Sequence, residues 1–356
     1  MAEETDGEEL FVPGRICLFG EHSDWAGGYR RMNSDLAKGH TIITGTNQGL
    51  YARVKPHEDR FIYHAAVGDS KRRHYEVDME PSALKSEAEN GGFFSYAAGV
   101  AYQIATHHKV KGLEIDNYRT TLPLKKGLSS SAAACVLVAR GFDNIYDLKL
   151  TTRGEMEYAY KGEITTPSRC GRMDQGCAYG SRPIHMIFDG DLIDVQTIAV
   201  GKTLYYVIVD LKAGKDTIEI LGRLNECYPF PAEDKHRAVQ EYLGPINAET
   251  VRRAITALEK GNTEHLGELM QEAQQNFDQY LAPMCPSELD APVLHKVLSY
   301  EPIQPHIYGG KCVGSGGDGT AQMVARNEKS QKQVVKILEK EFDVACLELT
   351  VDKTDH

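Results

Sequence analysis

Apolar and polar positions switch between a two-residue and a 3.6-residue period along the chain, and each switch marks an element. Phe11 to Phe19 (FVPGRICLF) is a short apolar run ending in a Gly-rich polar turn, GEHSDWAGG, which predicts a strand. From His40 to Val54, Thr, Ile and Val recur with Gly (TIITGTNQGLYARV) and predict a hairpin. Tyr63, Tyr75 and Val77 alternate like a strand within a polar stretch, 55–90, whose end is acidic. Phe94, Ala97, Ala98, Ala101 and Ile104 stand at helical spacing and predict a helix over 93–107. A strand, LEIDNYRTTLPL, then runs into KKGLSSSAAACVLVARGFDNIYDL, where the serines stop and an Ala/Val/Leu helix begins at once.

A second helix, TTRGEMEYAYKGEI, precedes the loop TTPSRCGRMDQGCAYG and a strand near 185–188. LYYVIVDL (204–211) reads as a buried strand, followed by helical segments at 215–226, 232–243, 248–260 and 262–281. The last stretch predicts a strand, a Gly-rich loop (GGKCVGSGGDGTAQMVA), a helix over 328–341 and the strand ACLELTV. Near residue 200 the pattern changes from strands and Gly loops to mostly helices, so the expected domains are 11–200 and 201–356. Residues 1–10, MAEETDGEEL, are acidic and polar and are expected to form a disordered tail.

Composition narrows the class of protein. Hydrophobic residues make up 41% and charged residues 26% of 356, the mix of a soluble globular chain. Forty Lys and Arg against 51 Asp and Glu give a net charge of −11, which excludes a broad basic face for nucleic acid but allows a local basic pocket. No apolar run approaches the roughly 18 residues that a bilayer span needs, and the N-terminus lacks the positive start of a signal peptide. A cytoplasmic location with no membrane partner is expected. The eight cysteines contain no CxxC and the 13 histidines no HExxH, so neither a disulfide framework nor His/Cys metal chemistry is supported.

Three groups of residues point to chemistry. In Pro123 to Ala133, PLKKGLSSSAA, a glycine and three serines open an apolar helix. Free amides and the positive end of the helix dipole there suit a phosphate, with Lys125 and Lys126 adding charge, whereas an ordinary helix cap needs only one serine. The second group, Arg15, Glu21, His22 and Asp24, presents donors and acceptors suited to sugar hydroxyls, although a solvated polar turn would look the same. The third is Glu163 with Asp174, paired acids that suggest Mg²⁺ ligation and substrate deprotonation. The segment GSGGDG (314–319) matches GxGxxG but precedes a strand, so it reads as a loop for close backbone approach or a plain hairpin.

In this order the motifs resemble the GHMP kinase family, and most of all its sugar-kinase, galactokinase-like branch. VPGRICLFGEHSDWAGG is similar to the galactokinase signature, with Trp25 where that branch has tyrosine. KKGLSSSAA is similar to the family's nucleotide loop, CGRMDQG to the segment with its catalytic aspartate, and KCVGSGGDGTAQ to its third motif. The resemblance covers about 11–350. It implies an α+β protein with the two-domain GHMP kinase fold: an N-terminal α+β domain, a C-terminal ferredoxin-like α+β domain, and an active site in the cleft between them. It implies ATP and Mg²⁺ as cofactors and transfer of phosphate to a sugar, at the anomeric (1-) hydroxyl.

The resemblance also assigns roles. Asp174 would take or orient the hydroxyl proton, with Arg15 beside it offsetting charge on the transferring phosphoryl. Glu21, His22 and Asp24 would bind sugar hydroxyls. Lys125, Lys126, Gly127, Leu128, Ser129, Ser130, Ser131 and Ala132 would form the nucleotide loop, with Ser131 and Glu163 on Mg²⁺. Arg172, near Arg169, stands where galactokinases have a small or aliphatic residue, and could pair with a carboxylate of a uronic acid. A loop surface charge is the plainer explanation for it. The intact serines, Glu163 and Asp174 weigh against a non-catalytic sugar and ATP sensor of the same fold, and either a monomer or a homodimer is compatible with the chain.

Overall fold

The computed structural model describes residues 7–67, 71–122, 128–168 and 170–354. Its first half runs β1 (Glu8–Phe19), α1 (Ser23–Gly28), β2 (Gly39–His57), β3 (Arg60–Val67), β4 (Lys71–Asp78), α2 (Pro81–Asn90), α3 (Ser95–His107), β5 (Gly112–Thr120), α4 (Ser130–Tyr146), α5 (Thr152–Thr165) and a 3₁₀ turn, Asp174–Tyr179. The second half runs β6 (Ile184–Asp189), β7 (Leu192–Thr197), β8 (Leu204–Asp210), α6 (Thr217–Asn225), α7 (Asp234–Glu241), α8 (Asn247–Lys260), α9 (Thr263–Tyr280), α10 (Pro286–Leu289) and α11 (Pro292–Leu298). It closes with β9 (Ile307–Cys312), β10 (Thr320–Ala325), α12 (Glu328–Glu341) and β11 (Ala345–Val351). This is an α+β fold.

The chain forms two compact units, Met1–Arg15 with Gly45–Ser181 and Ile16–Thr44 with Arg182–His356. Two of the three changeovers fall inside β1 and β2 and the third at 181/182, so the units interleave along the sequence and differ from the division into 11–200 and 201–356.

In the first unit the strand order is β4-β3-β5-β2, with β1 on β2. β3 and β5 are parallel, and the β3–β4 and β2–β5 pairs are antiparallel. Phe61 of β3 stacks on Phe142 of α4 at 6.1 Å, both fully buried. Helices α3 and α5 meet at Gly99 and Gly162, where a Cβ on Gly99 would lie 2.3 Å from the Gly162 carbonyl oxygen. Two backbones touch there only because neither residue has a side chain, and the next residue, Glu163, is carried into the interior.

Three local expectations are corrected. The hairpin over 40–54 is one 19-residue strand. Its glycines serve close approach rather than a turn: a Cβ on Gly45 would lie 2.3 Å from the Gly180 carbonyl oxygen, and one on Gly49 2.4 Å from that of Val12. The acidic end of 55–90 holds α2, opened by Pro81 and closed by Gly91 at φ 73°, with Leu84 and Ala88 on its buried face. β1 begins at Glu8, inside the stretch expected as a tail; residues 1–6 lie outside the described residues.

In the second unit, residues 39–43 of β2 pair with β6, and β6 pairs with β7, both antiparallel. A separate antiparallel sheet has the order β11-β8-β10-β9, with α6 to α11 between β8 and β9 and α12 between β10 and β11. That is the β-α-β-β-α-β ferredoxin-like plan. Tyr206, Val207, Ile208 and Val209 of β8 are all at most 1% exposed, which explains the continuous apolar run of LYYVIVD. The helix predicted over 328–341 has those bounds, capped by Asn327, whose side chain accepts from Ser330 N. The eight cysteines are free thiols, and no helix among the described residues is long and apolar enough to cross a membrane.

Candidate active site

In the first unit Ser131, Glu163, Asp174 and Arg15 come together from four elements. The backbone N of Arg15 donates to the Leu128 carbonyl at 3.1 Å, joining β1 to the serine loop. Ser129 precedes α4 at φ 56°, a left-handed conformation unusual for a residue with a Cβ, and its side chain makes no capping bond. Ordinary N-capping by this serine is therefore not what the SSS sequence serves. Ser131 lies in the first turn of α4 and its hydroxyl bonds the Glu163 carboxylate.

Glu163 is 2% exposed near the end of α5. Burial, and then the charge of Asp174, push its carboxyl up to about 7 against the bonds from Gln175, Ser131 and Cys170. Gln175 Nε2 donates to Glu163 Oε2 at 2.7 Å. Asp174 opens the 3₁₀ turn and accepts from Arg15 Nε at 3.1 Å and from Nη2 of the same guanidinium. Arg140 braces the three carriers of these groups. From α4 it pairs with Glu155 of α5 at 2.6 Å and donates to the Ala178 carbonyl of the 3₁₀ turn at 2.8 Å.

The GEHSD segment lies in the second unit. Gly20, at φ 97°, turns the chain where a Cβ would sit 2.2 Å from the His40 carbonyl oxygen. Glu21 is paired with Lys311 of β9, the two side chains 5% and 3% exposed. Burial lowers the pKa of the Lys311 ammonium, and the neighbouring Glu21 charge reverses this to a net rise. His22 accepts from Trp25 Nε1 at Nδ1 (3.1 Å) and lies with Nε2 3.3 Å from the Ser315 carbonyl oxygen, so its proton belongs on Nε2. Burial, with the charges of Lys215 and Lys311, pushes His22 down to about 4 against the Ser315 bond, and it is neutral at pH 7. Asp24 lies half-buried in the first turn of α1. Ser23 is anchored by Asn247, whose Nδ2 donates to its Oγ at 2.7 Å and to the His40 carbonyl at 2.8 Å.

Residues 95–181 match the GHMP kinases N terminal domain. By this match, and by its likeness to galactokinases, the chain resembles the GHMP kinases. It is 26% identical to the galactokinase of Thermococcus kodakarensis, over 94% of either chain. Among solved structures it is similar to Lactococcus lactis galactokinase complexed with galactose, with TM-score 0.72, 17% identity, and coverage of 98% of this chain and 94% of that one. It is also similar to Methanococcus jannaschii mevalonate kinase, with TM-score 0.72, 17% identity, and coverage of 99% and 100%.

Ser131 and Glu163 have the donor chemistry of a Mg²⁺ site: two hard oxygens in contact, one of them an acid that burial keeps short of a counter-charge. Two protein oxygens suit Mg²⁺, which keeps waters and substrate phosphates for its other positions. Leu128 and Ala132 are buried beside half-buried Ser129, Ser130 and Ser131, whereas Lys125, Lys126, Gly127 and Arg169 lie outside the described residues. Arg172 is engaged within its own unit, 3.0 Å from Glu157 and 4.5 Å over the Tyr160 ring. Sequence reasoning missed Gln175, Arg140 and Lys311. Gln175 adjoins Asp174 and Lys311 opens the last Gly-rich motif, so adjacency was the available signal; Arg140 has none.

Proposed function

We propose that this chain is an ATP- and Mg²⁺-dependent sugar kinase that phosphorylates the anomeric hydroxyl, giving a sugar 1-phosphate and ADP. The observation that supports it most is the Arg15–Asp174 pair beside the Ser131–Glu163 pair. Phosphoryl transfer asks a protein for alignment and charge neutralisation more than for covalent chemistry.

In this reading Ser131 and Glu163 hold Mg²⁺, which when bound neutralises charge on the phosphates of ATP. The amides at the start of α4 face the nucleotide phosphates. Asp174 accepts or orients the proton of the acceptor hydroxyl, and Arg15 both fixes that carboxylate and offsets charge on the transferring group. Asp24 is the acid of the GEHSD segment offered to another hydroxyl of the sugar, since Glu21 is buried against Lys311. His22, with both ring nitrogens engaged, positions Trp25 and the 315 backbone rather than donating to the sugar itself. Arg172, already paired, is a poor candidate for an acceptor carboxylate.

The test is ADP release from ATP and Mg²⁺ across a panel of hexoses, with NMR of the product to locate the phosphate. An anomeric phosphate on one sugar is the expected result. ADP release that no sugar stimulates, with sugar binding intact, would sink the assignment.

A further inference from the structure

The Gly-rich loop 314–319 is accounted for by what packs on it. A Cβ on Gly319 would lie 2.8 Å from Lys215 Nζ, and one on Gly316 2.4 Å from the Phe277 ring. Lys215, in the connection between β8 and α6, donates from Nζ to the Gly316 carbonyl at 2.8 Å. One residue away, the Ser315 carbonyl oxygen lies against His22, and Ser315 Oγ is 3.2 Å from Thr217 Oγ1. Lys215 and the Thr217–Ser315 hydroxyl pair thus both contact the loop that holds His22 of the GEHSD segment.

Among the described residues Lys215 has no carboxylate partner. The acids near it are otherwise engaged. Asp216 caps α6 by accepting from Ile218 N at 2.9 Å and Glu219 N at 3.0 Å, and Glu288 accepts from Asp216 N at 2.6 Å. Lys311, the other lysine near His22, is neutralised by Glu21. Desolvation lowers the pKa of Lys215, as expected of a half-buried cation that one neutral carbonyl solvates.

We infer that Lys215, with Thr217 and Ser315, recognises an anionic substituent of the acceptor, so that the substrate is an acidic sugar. The inference rests on the sugar-kinase reading and deepens it. The substituent is a carboxylate or a phosphoryl group, which offer the same oxygens to an ammonium and two hydroxyls.

The experiment compares kcat/KM for a neutral hexose, the matching hexuronic acid and the hexose 6-phosphate in wild type, Lys215→Met and Lys215→Arg, each checked for an unchanged melting temperature. Wild type should prefer one anionic acceptor, and Lys215→Met should lower the anionic-to-neutral ratio by about 10- to 100-fold, chiefly through KM, with Lys215→Arg retaining part of it. Whichever acid is preferred identifies the substituent. Equal losses on all three acceptors, or a wild-type preference for the neutral hexose, overturns the inference. Calorimetric binding of the same three sugars decides the point even without turnover: absence of phosphorylation would strike the kinase reading, while charge-selective binding lost in Lys215→Met would still support the anion site. Should Lys215→Met fail to fold, Thr217→Val, at an exposed position, carries the same ratio test.

Discussion

Arg15 aims two guanidinium donors, Nε at 3.1 Å and Nη2, at one oxygen of Asp174, Oδ1. Among the described residues Oδ2 accepts no hydrogen bond, and the Asp174 side chain is 28% exposed. One oxygen is fixed and the other can meet a hydroxyl.

Asp174→Asn keeps the shape and removes the base. We expect kcat to fall by about 10²- to 10⁴-fold with melting temperature little changed if Asp174 accepts the proton. A loss under about tenfold would assign it to orientation alone. Steady-state kinetics with single-turnover controls separates the two.

If Glu163 holds Mg²⁺ as proposed, its raised carboxyl makes metal binding pH-dependent. Its folded pKa of about 7 lies above the ordinary glutamate value of 4.5, so the folded protein holds an extra proton between these values. The stability this group contributes is greatest below 4.5 and is lost as pH rises through 7. A divalent cation needs the ionised form, so apparent Mg²⁺ affinity should fall as pH drops below about 7, approaching tenfold per unit. Mn²⁺ titration followed by electron paramagnetic resonance reads this directly, and a flat profile from pH 5.5 to 8 would contradict the assignment.

Gly162 and Gly99 let α5 approach α3 backbone to backbone, with Glu163 next in line. Gly99→Ala should cost about 1–3 kcal/mol in urea unfolding, because a methyl group must displace a helix. It should also raise the Mg²⁺ concentration for half-maximal activity. A variant of unchanged stability and metal dependence would show that the close approach is dispensable.

The Glu21–Lys311 pair is buried on both sides. Lys311→Met should destabilise by about 3–5 kcal/mol because it strands the Glu21 charge, and adding Glu21→Leu should recover most of that loss. Chemical denaturation of both single variants and the double variant measures the coupling. A harmless single variant would mean that Glu21 finds another partner or a proton.

Arg172→Ala should cost less than about 1 kcal/mol and weaken charged and neutral acceptors by the same factor, since its partners are Glu157 and Tyr160 on a partly exposed surface. The measurement is kcat/KM for a hexose and a hexuronic acid. A selective loss on the acid would return the carboxylate to Arg172.

Much of this organisation was legible from local pattern. Helix α12 and strand β11 have the bounds that periodicity predicts, and α4 begins two residues earlier than expected, at Ser130 within the serine run. The candidate residues Ser131, Glu163, Asp174 and Arg15 stand together in the first unit. The errors share a cause. Gly45 and Gly49 look like turn residues, but a glycine that admits a neighbouring backbone has the same letter as one that bends the chain. His22, expected to bind a sugar hydroxyl, has both ring nitrogens engaged by Trp25 and Ser315, the second of them 293 positions away.

Periodicity, caps and motif spacing determined the class of elements and the chemical types at the site, because these depend on residues near one another in the chain; the ferredoxin-like half was implied by the family resemblance. Which charges are spent and which are left over was decided only by the tertiary structure. Lys311 and Lys215 are the same residue type beside the same Gly-rich loop, yet one is neutralised by Glu21 from 290 positions away and the other meets a lone carbonyl. Desolvation and pairing act through space, and partners so distant in sequence leave no local pattern to read.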